Sequence, residues 1–131
     1  MKRILLACFL LTATCSVSFI QTATAQMTAP PVVTLADFTT KINQLDVLIG
    51  ASDITGAQAK WLEVHTQMGQ VLAMSKYSIY SAPTPADKTA HEAILINQRT
   101  IYSEVWGLKT DLATNRVAIH TKLVAFGATI Y

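Results

Sequence analysis

Between Leu35 and Ile49 the apolar residues fall at Leu35, Phe38, Ile42, Leu45 and Ile49, a 3-4-3-4 spacing. Such an interval puts all five on one stripe of an α-helix, whereas a half-buried strand would alternate at every second residue. Thr34 stands where a helix N-cap belongs, its hydroxyl able to accept an orphan backbone N–H, and Asp37 can reach back as in a capping box. Gly50 follows as the expected stop.

The same period recurs downstream. Thr55-Gly56-Ala57-Gln58 reads as a second start, and Ala57, Trp61, Val64, Met68, Val71 and Leu72 share one side of a helix running to about Tyr80. Pro83 ends it. Thr84 as N-cap, Pro85 at the first helical position and Asp87 at the third open another. Ala90, Ile94, Ile101, Val105, Leu108, Leu112, Ile119, Leu123, Phe126 and Ile130 then keep a helical period, weakened at Gly107 and Thr114-Asn115 and fraying at Gly127. The expected class is all-α: an antiparallel helical hairpin or bundle of three to four helices, over about 35–49, 56–80, 85–112 and 116–130. The last two can also be read as one long helix.

A hairpin centred near Pro83 brings together residues whose numbers sum to about 166. Leu112 then stands level with Ile54, so the apolar stripe of 113–130 extends past the second helix and needs a cover. The first helix could continue along the axis of the second, a long two-layer hairpin whose half-open core calls for a second copy. Alternatively the chain breaks at Thr114-Asn115 and folds back as a four-helix bundle. The bundle is preferred, because an open apolar seam invites aggregation.

Ahead of all this stand Met1-Lys2-Arg3, a largely apolar stretch from Ile4 to Ile20, and Ala23-Thr24-Ala25 before Gln26. That is the layout of a secretory signal peptide, 1–25, removed near Ala25-Gln26. Residues 26–33, with Ala29-Pro30-Pro31, read as a linker, and 34–131 as a single helical domain. Cys8 and Cys15 both fall in the leader, so a processed chain has no disulfide and must rely on its core. The context of Cys15 fits a lipobox poorly, and Leu5-Leu6-Ala7-Cys8 leaves too short an apolar run behind the basic head. Of the ten Lys and Arg against eight Asp and Glu, Lys2 and Arg3 are in the leader, which leaves the domain near neutral. No basic stripe serves nucleic acid, and no second apolar stretch approaches the roughly 20 residues of a membrane span.

Few residues point to chemistry. His65 and Met68 lie one turn apart, a nitrogen and soft sulfur that would suit copper, with His120 and His91 as further ligand candidates. Yet Met68 occupies a stripe position where Met is ordinary filler. Hairpin register also sets His65 level with about residue 101, roughly 15 Å from His91 at a rise of 1.5 Å per residue. Covalent haem has no Cys-x-x-Cys-His, and Glu63 and Glu92 are wrongly spaced from His65 and His91 for a di-iron carboxylate bundle. No serine lies in a nucleophile elbow, and no cysteine nucleophile survives processing.

The aromatics Trp61, Tyr77, Tyr80, Tyr102 and Trp106 all fall on the long hairpin. They serve either as a core layer or as anchors for a partner. Tyr77, Tyr80, Trp61 and Trp106 are accordingly the candidate partner-binding residues. Gln44, Asn97, Gln98 and Asn115 sit at or near the seams, where a buried amide would set helix register.

Together these features lead to an expectation of a small periplasmic or secreted helical protein, not an enzyme and without a cofactor. It would bind protein or serve a structural role through helix faces, as a homodimer or with an envelope partner. The alternative is a periplasmic metal- or haem-binding bundle.

Overall fold

The computed structural model describes residues 28–131, so the expected leader, 1–25, and the expected cleavage near Ala25-Gln26 lie outside the described residues. Four helices follow one another: α1 (Leu35–Gly50), α2 (Ile54–Ser81), α3 (Pro85–Gly107) and α4 (Arg116–Gly127), with a single 3-10 turn at Leu108–Thr110 after α3. No strand occurs among the described residues. Each helix packs on its sequence neighbours and α1 packs on α4, closing a ring of four. This is the folded-back arrangement. Asp111 breaks the helical run by accepting the Thr114 N–H through Oδ1 at 3.0 Å, and Asn115 donates through Nδ2 to the Leu108 carbonyl at 3.2 Å. The long-helix alternative is thereby corrected, and the stretch predicted as helix to 112 stops at Gly107.

The helix starts follow local chemistry. Thr34 Oγ1 accepts from the Asp37 N–H at 3.1 Å and donates to the Asp37 carboxylate at 2.7 Å. Thr84 and Asp87 repeat the pair at 3.1 and 2.6 Å. The second start differs from expectation: the cap of α2 is Asp53, accepting from the Gly56 N–H at 2.9 Å, and Thr55 already lies within the helix. Gly50 is no left-handed stop either. The positive φ in this turn belongs to Ser52, at 61°.

Four of the five predicted stripe residues of α1, Phe38, Ile42, Leu45 and Ile49, fill the core against Trp61, Val64, Met68 and Val71 of α2, while Leu35 is half exposed at its edge. Ile101 and Val105 of α3, Leu112, and Ile119, Leu123 and Phe126 of α4 join it. In the first half of α3 the stripe is displaced: Ala90 is exposed and Ile94 only half-buried, while Leu95 and Gln98 are buried. Phe38 and Phe126 meet with ring centroids 5.6 Å apart across the closing seam. Gly127 lets α1 approach there, since a Cβ on it would lie 3.3 Å from Leu35 and 3.5 Å from Phe38.

Helix lengths are unequal, and that shapes the surface. α2 and α3 have 28 and 23 residues, α1 and α4 only 16 and 12. At 1.5 Å per residue α2 outreaches α1 by about 18 Å. The cross-links Lys41–Glu63 (2.8 Å) and Glu104–Lys122 (2.7 Å) fix the registers, so the distal parts of α2 and α3 stand clear of the shorter helices. The segments just before α1 and just after α4 reach partway along this overhang. The Val33 N–H points to Met74 Sδ at 3.3 Å, and Tyr131 stacks on His91 with its hydroxyl 3.1 Å from Nδ1.

Candidate functional site

Two regions gather the residues that sequence singled out. The first is an aromatic stack between α2 and α3. The register expected for the hairpin holds, and His65 lies against Tyr102 and Trp106, ring centroids 4.1 and 4.5 Å away, with Trp61 stacked at 6.2 Å. Tyr102 Oη is 3.3 Å from His65 Nδ1. Trp61 is buried at 5 % exposure, while Trp106 is 43 % exposed and carries the Lys109 ammonium 3.3 Å from its ring centroid, a cation–π cap. Burial first, and the Lys109 charge second, hold the His65 imidazole below its ordinary pKa. Neither His65 Nε2 nor Trp61 Nε1 has a hydrogen-bond partner among the described residues.

The second region is the overhang. Tyr80 is 68 % exposed and Ile96 64 %, with Tyr77 and Ile79 half-buried beside them. Lys76, Ile79 and Tyr80 of α2 line one groove with Glu92, Leu95, Ile96 and Arg99 of α3. Of the four candidate partner-binding residues, the fold therefore splits Trp61 and Trp106 from Tyr77 and Tyr80. Only the latter pair belongs to the part of the hairpin that the bundle leaves uncovered.

The metal-ligand candidates are not brought together. Met68 is fully buried in the core and His65 belongs to the aromatic stack. His120 sits across the molecule in the α1–α4 seam beside Asp46 and Arg116, and His91 is under Tyr131. Among the described residues no group of three or more His, Cys, Asp or Glu could hold a metal ion.

One pairing carried no sequence signal. Arg116 grips Asp46 with two hydrogen bonds of 2.8 Å, joining the start of α4 to α1. The guanidinium passes over Gly50, where a Cβ would come within 2.8 Å of Nη1. Its hydrogen bonds hold the Asp46 carboxyl below the usual carboxylate range. The partners are 70 residues apart, so no local spacing could announce them.

Comparison with protein families, with curated proteins and with solved structures finds no match to this chain.

Proposed function

We propose that this is a small exported module, without enzymatic chemistry, that acts by helix-face contacts with a protein partner or with itself. The supporting observation is the α2–α3 overhang, whose Tyr80 and Ile96 remain more than half exposed although the four-helix core is closed. The open seam of a two-layer hairpin is not available as support, because α4 covers it. Large apolar side chains grouped on a projecting element, ringed by charge, are what protein-recognition surfaces use. Export rests on the leader pattern of residues 1–25.

The remaining groups point away from catalysis. Ser78 and Ser81 donate to carbonyls of their own helix, and His65 has aromatic rings and a lysine about it instead of an acid or nucleophile. A metal- or haem-binding role would need His65, Met68 and His120 to converge, and they occupy separate places.

Two measurements test the proposal. The N-terminus of the protein recovered from the envelope or medium should begin near Gln26. A photo-crosslinker at position 80 should trap a defined partner or a second copy, and Tyr80→Ser with Ile96→Ser should abolish complex formation without lowering the melting temperature. A full-length cytosolic product, or a complex insensitive to the double substitution, defeats it.

A further inference from the structure

The aromatic stack between α2 and α3 sets two basic groups on one indole. Trp106 carries the Lys109 ammonium 3.3 Å from its ring centroid, and the His65 ring centre stands 4.5 Å from that same centroid. Whatever the angle between them, Lys109 and the His65 ring are therefore at most about 8 Å apart, a separation over which two charges still act on each other at a partly buried site. Among the described residues the neighbouring carboxylates are engaged elsewhere. Glu63, two residues from His65, bonds Lys41 of α1 and Lys60, while Glu104, two residues from Tyr102 and Trp106, bonds Lys122 of α4. Tyr102 of α3 is the other titratable group in contact with His65, and Lys109 is the charge that acts on it.

A neutral His65 tolerates the charged Lys109. An imidazolium does not. It carries N–H on both ring nitrogens; Tyr102 Oη, 3.3 Å from Nδ1, can accept one, while Nε2 has no acceptor among the described residues. The added charge is left to the ring faces of Trp61, Tyr102 and Trp106, and Lys109 already draws on the last of these. We propose that His65 and Lys109 compete for Trp106, so that a proton on His65 drives the Lys109 ammonium off the ring and bares an indole face that is capped at neutral pH. Lys109 is the member that yields. Its side chain is exposed and its contact with a half-exposed indole is of the weaker cation–π kind, whereas His65 is buried and packed between α2 and α3. The turn that bears Lys109 stays in place, because Asn115 Nδ2 holds the Leu108 carbonyl at 3.2 Å. Only the side chain swings out. The coupling is reciprocal, so Lys109 must oppose protonation of His65 as strongly as the proton opposes Lys109.

An NMR titration of the processed protein from neutral to mildly acid pH reads both halves of this exchange. At neutral pH the Lys109 methylene protons beside Nζ should be displaced upfield by the Trp106 ring current. They should move to the position of a free lysine with the same midpoint as the His65 imidazole signals. Lys109→Met should raise the His65 midpoint by about half a pH unit, roughly threefold in proton affinity, while Lys109→Arg, which keeps the charge and the stacking, should leave it in place. In His65→Phe the Lys109 signals should hold their displaced position throughout. Far-UV circular dichroism at each pH follows the integrity of the bundle. Lys109 signals that ignore the His65 titration, or a His65 midpoint unmoved by Lys109→Met, overturn the proposal. So does a Lys109→Arg variant shifted as far as Lys109→Met, which would make packing and not charge the cause, or an imidazole that gains its proton only as the bundle unfolds.

Discussion

Gln98 is fully buried, and only half of its amide is satisfied. Nε2 donates to Thr129 Oγ1 at 3.1 Å, while Oε1 has no partner among the described residues. A buried unpaired carbonyl costs about as much as a good hydrogen bond returns. Thr129 keeps its own bond to the Phe126 carbonyl at 2.6 Å whatever stands at 98. Gln98→Met should therefore leave stability unchanged or raise it by about 1 kcal/mol in urea unfolding. His65 sets a different dependence. The unfolded chain binds this proton near the ordinary imidazole value of 6.5, the folded protein only at lower pH. In that window the unfolded state holds more protons, so stability drops as pH falls from 6.5 toward the folded value. Asp46 and Glu63 are held low as well, Glu63 to about 2 by its bonds to Lys41 and Lys60, and their stabilisation is lost only below about pH 5. Thermal melts between pH 6.5 and 5 should thus slope in the wild type and flatten in His65→Phe.

Two of the helix starts were legible from local spacing. Thr34 and Thr84 each precede an aspartate by three residues and an apolar period, and both cap as that spacing dictates. At the start of α2 the spacing pointed to Thr55, whereas the cap is Asp53, two residues earlier. Asp53 prevails because its carboxylate folds over Gly56, where any Cβ would strike it. Asp53→Ala should cost about 0.5–2 kcal/mol, and Thr55→Ala should stay within about 0.5 kcal/mol of wild type, in chemical denaturation. The stripes of α1, late α3 and α4 were readable for the same reason as the caps, since periodicity is a property of one element. The α3 offset at Leu95 and Gln98 was not, because it depends on Thr129 and the other chain-end residues that cover it. The Asp46–Arg116 clasp and the aromatic stack share that limit: their members come from different helices, and only the hairpin register hinted that His65 would meet Tyr102.

At the scale of the molecule, the ring is closed by the α1–α4 seam, where Phe38 and Phe126 are both fully buried. α4 has 12 residues, too few to persist as a helix by itself in water. Phe126→Ala should cost about 3–5 kcal/mol, a large share of the 5–15 kcal/mol that holds an ordinary domain together. Hydrogen exchange should reveal the loss first in α4, with α2 and α3 still protected, because those two retain each other. That seam also imposes an order of events on a chain delivered N-terminus first, whether from a ribosome or through a translocase. Until residue 126 has arrived, Phe38, Ile42 and Leu45 have no lid, and whatever has emerged stays loose, threadable and adhesive. Completion is a single late act performed by the last helix.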